Sequence, residues 1–231
     1  MILRLIDGLR YGEAAGVDMA ELLTSFAATL AVLFFSLPVH EYAHAWTAKK
    51  LGDNTAWMHG RLTLNPAKHL SLFGTLMILI AGFGYAKPVP VNPRNFKHYK
   101  KGMALTAVAG PLSNLIMAIG GCILFNLMRL FWFRTFNDLA SLLTDFFAYF
   151  FVANVSLMMF NLIPFPPLDG SRILDLLLPA KWSDFIARYE QIFRWAVLLL
   201  LFIGNPISKL SALVAQGINA VVSLPFPNPF A

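Results

Sequence analysis

Charge is what this sequence has least of: Asp, Glu, Lys and Arg make up 13% of its 231 residues, about half the share usual in soluble domains. The missing charge is replaced by apolar residues, 58% of the total with a mean hydropathy of +0.63. They lie in long blocks rather than short alternating runs, which excludes an ordinary soluble globule and describes a polytopic membrane protein. Cysteine is almost absent. A lone Cys122 excludes an internal disulfide and an all-cysteine metal site, and its apolar helical setting marks it as a small packing residue. Glutamate is scarce as well, with none between Glu41 and Glu190. The net charge of +6 is spread between the apolar blocks. It therefore reads as a determinant of membrane topology rather than as a nucleic-acid patch.

Residues 1–20 break their apolar pattern with Arg4, Asp7 and Arg10 and read as an amphipathic lead-in, not a cleavable signal. A long helix is expected over 21–50, almost wholly apolar from 26 to 39 before it meets Lys49 and Lys50. A second apolar block, 72–85, is too short to cross and fits a re-entrant segment. The basic, proline-rich stretch 87–101 follows, then two strong spans over 103–131 and 139–160. A further span is expected over 192–203, and an amphipathic or partly inserted tail over 206–223. The sequence thus predicts an all-α polytopic membrane protein with about four full transmembrane helices plus the re-entrant segment. Residues 21–180 form its membrane-embedded core, and 181–231 the last span and tail. If 72–85 only dips in, most of the 18 Lys and Arg fall on one side, the cytoplasmic one by the positive-inside rule.

Within the first span, His40-Glu41-Tyr42-Ala43-His44 matches H-E-x-x-H. Positions i and i+4 share a helix face, so both imidazoles can reach one metal ion, and the glutamate beside them can take a proton from a water. Chance would supply about 0.002 such matches in a chain of this composition. Polar residues at that depth are costly unless they serve a function. Zinc suits two nitrogens, a carboxylate and one open position.

A third ligand must come from elsewhere. The glutamate of soluble zincins has no candidate, and the extended metzincin pattern fails at Thr47 and Lys50. Asp169 is favoured because Pro164, Pro166 and Pro167 break the preceding helix. Irregular backbone at membrane depth is tolerated only where it is buried in protein or lines a polar cavity. A simple Asp-Gly turn is the alternative. Asp53 is expected in water, and His59, His69 and His98 read as surface histidines.

Residues 55–65 carry alternating Leu around Gly60-Arg61. They could form a small membrane-dipping β-hairpin whose Arg61, Leu62 and Thr63 pair with substrate, or an interfacial loop anchored by Trp57. Gly110 permits close helix packing. Asn114 either bonds across that helix interface or faces the catalytic cavity.

H-E-x-x-H on a membrane helix, Gly110-Pro111-Leu112-Ser113-Asn114, and Asn161…Pro164…Pro167-Leu168-Asp169-Gly170 together resemble the site-2 protease family, small prokaryotic type. The resemblance covers about residues 40–172 and lacks the family's frequent accessory modules. It implies one zinc per chain held by His40, His44 and Asp169, with Glu41 as general base. It also implies that Asn161 orients substrate or stabilises the oxyanion. The expected activity is intramembrane proteolysis of a transmembrane protein substrate, in a bacterial or archaeal cell membrane, with the site about 8–14 Å below the cytoplasmic face. A metal transporter or an idle scaffold are the rival classes. The first lacks polar residues along several spans, and the second has no use for Glu41.

Overall fold

The computed structural model describes residues 18–81, 86–203 and 208–226. Most of the expected lead-in, the glycine-rich end of the second apolar block at 82–85, and Pro206 lie outside the described residues. Helix α1, Met19–Lys50, is capped by Asp18, whose carboxylate accepts the N–H of Ala20 at 2.8 Å. Pro38 lies inside it and cannot donate to the carbonyl four residues back. The chain absorbs the defect as a π-helical turn over Val32–Ser36, where Leu37 N reaches Val32 O. The extra residue in that turn resets the face presented by the half-helix Leu37–Lys50 that carries His40, Glu41 and His44.

Three helices are long and apolar enough to cross a membrane: α1, α3 (Tyr99–Thr135) and α4 (Asp138–Asn161). Asn137 caps α4 through Leu139 N, and Phe136, in the left-handed region at φ 47°, makes the tight turn from α3. Among the described residues the α3–α4 hairpin is the most extensive packing, and α1 packs against both. Small residues on α3 let the helices close: Ala118 and Cys122 sit against Phe151, Val155 and Met158. Cys122 is fully buried, as its setting predicts.

The remaining helices are α2 (Leu72–Ala81), α5 (Gly170–Leu177), α6 (Ala180–Arg188), α7 (Glu190–Ile203) and α8 (Ser208–Val222). The 10 described residues of α2 span about 15 Å, half of a hydrocarbon core of about 30 Å. The fourth expected span corresponds to α7. Its 14 described residues reach about 21 Å, and three helices long enough to cross stand among the described residues. Helix α8 lies against α3 and α4.

The expected hairpin at 55–65 is not there. No strand occurs among the described residues, only an isolated bridge between Leu70 and Ala86. Asp53 starts a helical turn at Thr55–Met58 by accepting Thr55 N at 3.0 Å, and Gly60 at φ 65° reverses the chain. Asn65 then caps a second turn, Pro66–His69. Side-chain caps and a proline at N1 override the alternating pattern.

Two further expectations fail in this loop. Asp53 is fully buried, not in water: it binds Asn92 N at 2.8 Å and Asn95 Nδ2 at 2.7 Å, tying the two ends of the loop together. His69 is fully buried too, its Nε2 2.7 Å from Thr63 O, whereas His59 and His98 are exposed.

Candidate metal centre

Three side chains from two elements converge on one point. The helical spacing of His40 and His44 brings their Nε2 atoms 2.9 Å apart. Asp169 Oδ2 lies 3.3 Å from the first and 3.2 Å from the second. Asp169 immediately precedes α5, after the proline-rich turn that follows α4. Its neighbour must be glycine, because a Cβ at Gly170 would sit 2.3 Å from Leu162 O. At the far end of α5, Lys100 from the start of α3 donates to Asp175 O and Leu178 O at 2.9 and 2.8 Å. Those two bonds satisfy the helix terminus and pin the element carrying Asp169 to α3.

The imidazoles are held from behind. His44 Nδ1 is 2.7 Å from Thr106 O, a pure acceptor, so Nδ1 carries a proton, and in the neutral ring the Nε2 lone pair turns toward Asp169. His40 Nδ1 is 3.1 Å from Asn114 Oδ1, which imposes the same tautomer. Asn114 is fully buried on α3 and bonds across the helix interface to a residue of the cluster. Gly110, one turn earlier, makes room for both rings: a Cβ there would lie 2.3 Å from His44 Nε2 and 2.5 Å from His40 Cε1.

Two lone pairs and a carboxylate oxygen thus meet in a buried spot, and Asp169 Oδ2 has no hydrogen-bond donor. Three acceptors this close repel one another unless a cation lies between them. Bonds of about 2.0–2.2 Å at tetrahedral angles put ligand atoms about 3.3–3.5 Å apart. The edges observed here are 2.9, 3.2 and 3.3 Å, so this nitrogen and oxygen set fits zinc. These are the described His, Cys, Asp and Glu residues that could hold an ion together.

Glu41 is buried beside the cluster, its Oε2 accepting Val89 N at 2.9 Å. Asn161, the last residue of α4, donates Nδ2 to Leu157 O at 3.0 Å and so keeps its second amide hydrogen free of that bond. Arg61 is buried with Nη2 on Lys87 O, and Thr63 O serves His69. Leu62 is half-buried in the same loop. Sequence reasoning missed Thr106 O and Val89 N, both backbone groups that leave no mark in residue identity.

A zinc-type ligand set whose two histidines lie on a membrane-crossing helix, with a glutamate beside them, defines a membrane metallohydrolase. Comparison with known proteins makes the class specific. The family described as Peptidase family M50 matches residues 137–204. YwhC of Bacillus subtilis, which carries the name zinc metalloprotease, is 44% identical over 171 residues, covering 74% of this chain and 78% of that protein. Rip2 of Mycobacterium tuberculosis, similarly named, is 31% identical over 78% of this chain and 68% of its own. MJ0611 of Methanocaldococcus jannaschii is 29% identical over 71% of each. No solved structure matches. The chain belongs to peptidase family M50, the site-2 protease family, and is an integral-membrane zinc metallopeptidase.

Proposed function

We propose that the enzyme hydrolyses peptide bonds in or near transmembrane segments of substrate proteins. In this reading His40, His44 and Asp169 hold one zinc ion, Glu41 is the general base and Asn161 steadies the scissile carbonyl. The observation that carries it is the meeting of two buried histidines on the membrane-crossing helix α1 with Asp169 from the turn after α4. Lys49 lies five residues beyond His44, about 7.5 Å along the helix, and with Lys50 it sets the cytoplasmic boundary. Both lysines lie over tryptophan rings, Lys49 on Trp57 and Lys50 on Trp46, as befits an interface. The site therefore belongs below the cytoplasmic face of a bacterial or archaeal cell membrane.

Zinc bound there supplies a Lewis acid that polarises a carbonyl and makes water acidic near pH 7. The chain supplies the rest. Glu41 takes the proton of the attacking water and returns it to the leaving amine. The second amide hydrogen of Asn161 is available to the carbonyl oxygen as charge builds on it. A helical substrate hides its carbonyls in hydrogen bonds, so it must unwind locally before attack.

The test measures zinc per chain and cleavage of a reporter transmembrane substrate. Wild type and Glu41→Gln should each hold about one zinc, with Glu41→Gln slower by about 10²–10⁴-fold. Asp169→Ala should lose most of the metal and the activity. Mass-spectrometric mapping should place the cut within or beside the membrane segment. Retention of zinc and activity by Asp169→Ala would move the third ligand elsewhere, and cuts confined to distant water-exposed flanks would sink the intramembrane reading.

A further inference from the structure

We infer that Arg61 is a positioning residue for Glu41, acting through the backbone of residues 87–89; the inference rests on the reading of Glu41 as general base. Arg61 is only 7% exposed. A guanidinium drawn so far out of water requires fixed partners. It has one in Lys87 O, to which Nη2 donates. Lys87 N donates to His69 O at 2.7 Å, and the buried ring of His69 is itself held on Thr63 O. The loop 61–69 thus grips Lys87 by both of its backbone groups.

Two residues further on, Val89 N donates to Glu41 Oε2 at 2.9 Å. Among the described residues this is the one hydrogen bond to the Glu41 carboxylate. Pro88 stands between the two points, and its ring fixes φ near −65°. The grip on Lys87 is therefore transmitted to the Val89 N–H with little slack.

A carboxylate turns easily about its last torsion, which has no sharp staggered wells. A single fixed donor decides which oxygen is occupied and which is left for a proton. Val89 holds Oε2, which leaves Oε1 for the reacting water. Misplacing a catalytic group by about 1 Å can cost on the order of 10²-fold in rate.

The experiment compares kcat, KM and zinc content of the purified full chain with those of Arg61→Gln, Arg61→Lys, Val89→Pro and Arg61→Gln/Val89→Pro. Arg61→Gln should lower kcat about 10–100-fold with KM and zinc unchanged. Arg61→Lys, which keeps a donor for Lys87 O, should recover part of the loss. Val89→Pro deletes the terminal N–H, so the double variant should fall no further than Val89→Pro alone. Multiplying losses would overturn the inference, as would a raised KM at unchanged kcat, which would make Arg61 a substrate contact. A rise in kcat would overturn it too, by making the segment a restraint on Glu41. Zinc lost from Arg61→Gln and not regained in Arg61→Lys would reduce Arg61 to scaffolding. Full activity of Glu41→Gln is a separate failure, removing the general base while leaving these contacts in place.

Discussion

At the scale of single residues, the centre depends on what Gly110 lacks. A methyl group there would occupy the volume of both imidazole edges, at 2.3 and 2.5 Å from ring atoms. The rings cannot yield without leaving the metal position, since Thr106 O and Asn114 Oδ1 hold their far sides. Gly110→Ala is therefore expected to lose most of its zinc while keeping its helix content, as measured by metal analysis alongside circular dichroism. Zinc retained at one per chain would show that the rings have a second stable placement. That His40, His44 and Asp169 come together was legible in the sequence, because H-E-x-x-H carries its own geometry and the prolines around Asp169 announce a broken helix. The residues behind them were only half legible. Asn114 was open between two roles, and no residue type encodes a carbonyl such as Thr106 O.

At the scale of elements, the long helices followed their hydropathy and the polar loop did not follow its pattern. Alternating Leu at 62 and 64 suggested strands, yet Asp53, Asn65 and Pro66 carried stronger local instructions for helical turns. The error at Asp53 has the same origin. Its partners Asn92 and Asn95 lie some forty residues away, so nothing nearby in sequence marked it for burial. Burial would push its carboxyl up, but hydrogen bonds from Thr55, Asn95 and Asn92 outweigh this and hold it below its ordinary value. A carboxyl depressed in the folded state contributes stability above its unfolded pKa, and that contribution fades as pH falls through the folded one. Asp53→Asn should accordingly be less stable than wild type at pH 6, by about 1–3 kcal/mol for the weakened hydrogen bonds to a charged carboxylate. The gap should close below about pH 4 in thermal melts of the two proteins. A gap independent of pH would mean that the carboxylate charge contributes nothing to tying the loop.

At the scale of the whole molecule, α3 shows how a chain so poor in charge solves its packing. Leu105, Leu112, Ile116, Ile119, Ile123 and Leu127 form an exposed stripe at helical spacing. Its opposite face buries Ala104, Ala107, Gly110, Asn114, Ala118 and Cys122. Large residues point outward to lipid and small or polar ones inward, the arrangement expected where helices meet without hydrophobic drive. A cysteine introduced by Ile116→Cys, 64% exposed in the native residue, should resist water-soluble thiol reagents in intact membranes yet react in the unfolded chain. Met58→Cys, in the polar loop, should react readily, and the buried Cys122 leaves a low background. Rapid labelling at position 116 in membranes would place α3 against water. The spans were legible because hydropathy measures exposure to lipid directly, whereas the length of α7 depended on where its ends fall.

The triad is divided unevenly along the chain: His40 and His44 share one helical turn, and Asp169 follows 125 residues after His44. During synthesis the histidines leave the ribosome first, with only two donors to offer a metal. α3 and α4 must be threaded through the bilayer before the carboxylate arrives. A zinc ion held by the proposed triad would cross-link the first span to the turn after the last long one, closing a large loop whose entropy was already spent by insertion. In the proposed reading the site is therefore incomplete until α4 and the turn after it have been made.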